Sequence, residues 1–92
     1  MNNEEKEFLQ EHKNFNFLRS QSIWNGEQIK ANFPKNKLIL HFMLSEELFY
    51  LWTEEGVRRT LLYVREAYPE TTEEDLRNVY DASKDFICCI YG

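Results

Sequence analysis

The sequence predicts an α+β domain. A short N-terminal helix leads into a three-stranded antiparallel β-meander at about residues 15–24, 27–33 and 37–44. Helices at about 46–52, 54–68 and 73–90 then pack on one sheet face. Three observations predict this: Asn25-Gly26 between two alternating runs, the stretch KLILHFML at 37–44, and a helix-start signature repeated through the acidic C-terminal half. Ninety-two residues with 42% apolar content suffice for one domain, residues 1–92, around one modest core.

The N-terminal helix is expected from Asn3-Glu4-Glu5, a capping side chain followed by two acids that complement the positive helix end. Asn-Gly is the strongest short-range hairpin signal, because both turn residues must take φ > 0. A two-residue loop there pairs Trp24 with Glu27, Ser22 with Ile29, Ser20 with Ala31 and Leu18 with Phe33. That register gathers Leu18, Trp24, Ile29, Ala31 and Phe33 on one face and leaves Arg19, Gln21, Gln28, Lys30 and Asn32 on the other. Pro34-Lys35-Asn36 turns the chain into a third strand, with Leu38, Leu40, Phe42 and Leu44 opposite Ile39, His41 and Met43.

The acidic half carries the same cap signature at Ser45-Glu46-Glu47, Thr53-Glu54-Glu55 and Thr72-Glu73-Glu74. With the N-terminal pair, these hold eight of the sixteen acids, so half of the acidity has a structural cause before any partner is invoked. Val57, Leu61, Val64 and Tyr68 share one helical face, whereas Leu48, Phe49 and Trp52 fall opposite, so a break at TEEG separates two helices. Pro69 ends the second of them. Thr72 and Asp75 are spaced as a capping box for the last helix. Residues 46–52 also fit a strand because of their aromatics, with helix favoured by Ser45, and 85–91 also fit a strand whose two faces would both be apolar.

No run approaches the ~20 apolar residues of a membrane span, and the acidic N-terminus is unlike a signal peptide. Two cysteines without an export signal fit a reducing compartment, so a cytoplasmic location is expected, in the host cell if the chain is phage-encoded. Residues 12–44 carry +4, with Lys13, Arg19, Lys30, Lys35 and Lys37 against Glu27, between acidic ends of −3 and −6. Such asymmetry invites a partner.

The residues carry little chemistry. Three scattered glycines build no phosphate loop. His12 lies on a polar stretch and is expected to be exposed, and His41 lies in an apolar strand as a packing residue. Cys88-Cys89 lacks the spacing of a zinc site and the geometry of a disulfide. No catalytic residue, cofactor or metal is therefore expected.

Binding fits better. On the last helix Glu74, Asn78, Asp81, Asp85 and Cys88 form an outer row opposite the apolar stripe, and Leu62 and Tyr63 leave the apolar face of the preceding helix beside Glu66. An acidic row beside an apolar anchor suits docking on a larger protein with a basic surface. The expected function is a small non-catalytic binding protein, an inhibitor or adaptor of the antitoxin, immunity or phage anti-defence type. Its target would be, for example, a nucleic-acid-processing enzyme. A homodimer is the competing use of that surface. The first alternative is a nucleic-acid-associated regulator using the basic hairpin face, through Arg19, Lys30, Lys35 and Lys37. The second is a small enzyme of unknown type.

Overall fold

A computed structural model describes residues 2–21 and 25–91, and all of their regular structure is helical. The order is α1 (Asn3–Arg19), α2 (Gly26–Asn32), α3 (Lys35–Ser45), α4 (Glu54–Val64) and α5 (Glu73–Tyr91). The expected α+β fold is therefore corrected to a small helical bundle. Residues 15–19 continue the N-terminal helix, 27–32 form α2, and 37–44 lie inside α3. Residues 22–24 of the expected first strand lie outside the described residues.

Each misread segment has a physical reason. α3 buries six consecutive side chains, Leu38 to Met43, because helices surround it. A segment buried all round has no periodicity to reveal its type. Asn25 is the N-cap of α2, its Oδ1 accepting from Gln28 N at 3.0 Å, with an extended φ of −140°. Asparagine serves caps and turns equally well, so the Asn-Gly pair is ambiguous by chemistry.

Gly26 takes no left-handed φ. Its role is close approach: a Cβ built there would collide with the backbone carbonyl oxygen of Glu66. Alanine is the better helix former by about 1 kcal/mol, yet Gly26→Ala should destabilise by about 1–3 kcal/mol, as overpacked sites do. Urea denaturation measures the sign, and a stabilised variant would refute the close packing of α2 on residue 66.

The acidic half lies closer to expectation. Thr53 Oγ1 accepts from Gly56 N at 3.1 Å and starts α4. Thr72 and Asp75 exchange bonds at 3.0 and 3.2 Å, a full capping box for α5. Ser45-Glu46-Glu47, however, ends a helix. Leu48 N donates to Met43 O and Glu47 N to Leu44 O, with Glu47 at φ 57°, which is a Schellman closure of α3. Residues 46–50 are therefore turns instead of the expected helix at 46–52.

α3 is the central element, with α4 and α5 packed against it. α1 attaches through a stripe at helical spacing. Phe8 and Phe15 are buried, and His12 sits between them. Phe8 meets Phe86 of α5 edge-on, and Phe15 meets Phe33 and Phe42 edge-on. Tyr68 ties the α4–α5 connection to the α2–α3 junction by donating its hydroxyl to Phe33 O at 2.6 Å. No helix among the described residues is long and apolar enough to cross a membrane.

Candidate functional site

α1 and α3 bring two histidines together. His12 Nδ1 and His41 Nδ1 are 2.9 Å apart, and His41 Nε2 is 2.7 Å from Glu11 Oε1. The imidazole planes differ by only 20° at a centroid separation of 5.1 Å, so the rings meet edge to edge. His41 is fully buried, stacked against Phe8 and Phe15, with Phe33 edge-on. His12 is half-buried.

Counting protons orients the pair. An ionised carboxylate only accepts, so His41 Nε2–H donates to Glu11. Neutral His41 then offers the Nδ1 lone pair, and His12 Nδ1–H donates to it. His12 Nε2 is left as a bare acceptor, with no hydrogen-bond partner among the described residues. Burial holds His12 down to about 4, and the neighbouring His41 adds to the lowering. Burial also lowers His41, against the opposing pull of Glu11. Both rings are therefore neutral near pH 7.

His12 lines an open cleft of about 840 Å³ between the turn after α3 and the outer flank of α5. Phe49, Tyr50 and Tyr80 supply its rings, Glu47 and Asp85 its acids, Lys84 its cation, and Cys88 a thiol. Tyr50 is 89% exposed. Tyr80 is stacked on Phe49 at 5.3 Å and stands edge-on to Trp52. Arg77 lies over this aromatic cluster, its Cζ 4.2 Å from the Trp52 ring centre and 5.6 Å from that of Tyr80.

The expected partner-binding residues do not form one surface. Asp85 and Cys88 line the cleft, and Glu74 and Asp81 are exposed on the same helix. Asn78 is exposed on the same stripe two turns before Asp85, but it borders a different groove, which it shares with Lys35 and Lys37. Leu62 is 64% exposed in a separate groove with Trp52, Arg58 and Glu73. Tyr63 is half-buried, stacked on Phe42 beneath Arg19, and Glu66 is exposed. Sequence reasoning missed Tyr50 and His12. The signal for His12 was present, since Phe8, His12 and Phe15 recur at i, i+4 and i+7.

The four basic residues of the alternative reading lose their common sheet face, and each has an intramolecular partner. Lys35 Nζ is 3.4 Å from Asp75, and Lys37 Nζ is 3.9 Å from Glu11. Lys30 lies over Tyr68, and Arg19 over Phe42, Tyr63 and Phe15. Cys88 and Cys89 are free and exposed. Among the described residues, no cluster of three or more His, Cys, Asp or Glu side chains is placed to hold a metal ion. Comparison with protein-family models, curated proteins and solved structures finds no match.

Proposed function

We propose that this chain is a small non-catalytic binding protein, an inhibitor or adaptor, that docks on the basic surface of a larger protein through the cleft and the adjoining acidic row of α5. One observation carries the reading. Asp85 and Cys88 of that row form a wall of the cleft that also holds Tyr50, an exposed aromatic ring with no core role. A large exposed ring in a cleft that also carries Glu47 and Asp85 is the kind of residue that centres an interface, while the charges steer the encounter. Exposed apolar side chains scattered singly need no such explanation, but this one borders a concave site.

The test is a low-salt pull-down with the full chain, followed by the same experiment on Tyr50→Ala and Asp85→Lys. Each variant should weaken retention of the captured protein by about tenfold or more, as hot-spot truncations do. Added salt should weaken the wild type and affect Asp85→Lys less. Unchanged retention in both variants would overturn the reading, and so would sedimentation as a homodimer that buries Tyr50.

A further inference from the structure

We infer that the cleft between the α3–α4 turn and α5 is a guanidinium site, built to receive one arginine side chain of a partner protein. The inference rests in part on the docking reading, and it names the chemistry the cleft selects.

The first support is the hydrogen-bond polarity set by the histidine pair. His12 Nδ1 is engaged by His41, so Nε2 is the one ring nitrogen that His12 can offer to the cleft it lines. It presents a lone pair, fixed there by two successive bonds that end on Glu11. A ligand therefore meets an acceptor at this end of the cleft and needs an N–H to satisfy it. An anionic or acceptor-only group finds no complement there.

The second support is charge. Glu47 and Asp85 line the cleft against a single cation, Lys84, and His12 adds no charge in its neutral form. On the core side, the carboxylate of Glu11 is engaged by His41 and Lys37. The remaining ionisable groups across the cleft are Tyr50, Tyr80 and Cys88. The balance is negative, which favours a cationic guest.

The third support selects guanidinium over ammonium. Phe49, Tyr50 and Tyr80 offer ring faces and edges in a space of about 840 Å³. A planar, weakly hydrated guanidinium stacks on rings while its fork of donors reaches two acceptors, whereas an ammonium is a compact and strongly hydrated point charge. The chain already uses this surface in that way, since Arg77 lies over Trp52 and Tyr80 at the edge of the same aromatic cluster. The cleft repeats the arrangement with no arginine of its own among its lining residues.

Titration of the full chain with N-acetyl-arginine amide tests the inference, followed by the amide and imidazole nitrogen resonances. The expected result is saturable shifts confined to Tyr50, Tyr80, Asp85 and the His12 ring. The His12 Nε2 nitrogen should move toward the hydrogen-bonded range while His41 stays fixed. N-acetyl-lysine amide should bind several-fold more weakly. Asp85→Asn and Tyr50→Ala, both at exposed positions that spare the core, should each reduce binding several-fold.

Equal response to lysine and arginine would overturn the inference, as would shifts spread along Glu74 and Asp81 or an unmoved His12 Nε2. If the probe fails while Tyr50→Ala still abolishes partner retention, the docking reading stands and the guanidinium site falls. If the probe binds and partner retention ignores both variants, the site stands and the docking reading falls.

Discussion

Replacing Phe15 by alanine should remove about 3–5 kcal/mol of stability, the range for truncating a buried phenylalanine. Phe15 is fully buried. Its ring lies edge-on to Phe42 at 4.9 Å and to Phe33 at 5.7 Å, and stacks on His41 at 5.2 Å. It is also the last buried side chain of α1, so its loss leaves that half of the helix held only by half-buried Leu18 and by Arg19 over Phe42 and Tyr63. Domains of this kind have only about 5–15 kcal/mol in total, so the variant sits near the edge of folding.

Phe17→Ala is the informative control, because Phe17 is 65% exposed. It should change stability by no more than about 0.5 kcal/mol. Residues two apart share a face in a strand but lie about 200° apart on a helix. Urea denaturation of the two variants thus distinguishes the helix from the expected strand at 15–24. Equal losses would refute α1 at this point.

Acidification should destabilise the protein well above the range in which carboxylates protonate. Both His12 and His41 titrate below the ordinary histidine value of 6.5, His12 at about 4, and burial is the first cause in each. A histidine held neutral in the folded state takes up its proton more readily when unfolded. Below pH 6.5 the unfolded chain therefore binds more protons, and stability falls with pH. The loss is complete for His12 once the folded state also protonates, at about pH 4.

The slope is at most about 1.4 kcal/mol per pH unit for each histidine. Partial exposure of His12 and solvent screening reduce its share. The geometry points the same way. One proton between the two Nδ1 atoms suffices for their 2.9 Å contact, whereas full protonation of both rings sets N–H against N–H. Asp75 contributes in a separate window. Its carboxyl is held below 3.8, chiefly by the Thr72 backbone N–H, so that stability is present above 3.8 and is lost in more acid solution.

Melting temperature measured from pH 7 downward should fall before any carboxylate titrates. His12→Gln, which does not titrate, should flatten part of that fall. A flat profile between pH 7 and about 5 would show that the pair is not held neutral by burial.

The contrast between what was legible and what was not follows the range of each signal. Thr53, Thr72 and Asp75 cap their helices through bonds to residues three positions away. Such information is local, so the starts of α4 and α5 could be read directly. The stripe Leu76, Val79, Phe86, Ile87 and Ile90 likewise repeats along one helix and packs on one side. Ser45-Glu46-Glu47 carried the same local letters as Thr53-Glu54-Glu55, yet it closes α3. Leu48, fully buried just beyond, shows that the chain there returns to the core.

The sequence by itself determined the charge layout, the capped helices of the acidic half, and the outward acidic row of α5. Tertiary structure alone decided that 37–44 is a helix, because a segment enclosed on every side takes its type from its neighbours. It also decided that Asn25 caps a helix, through the docking of Gly26 on the backbone of Glu66. The candidate site belongs to the same category. His12 and His41 lie 29 residues apart, and neither carries a local motif. Their chemistry exists only because the Phe8–Phe15 face of α1 lies on α3, which buries one ring, leaves the other at the cleft, and fixes the direction of the proton between them.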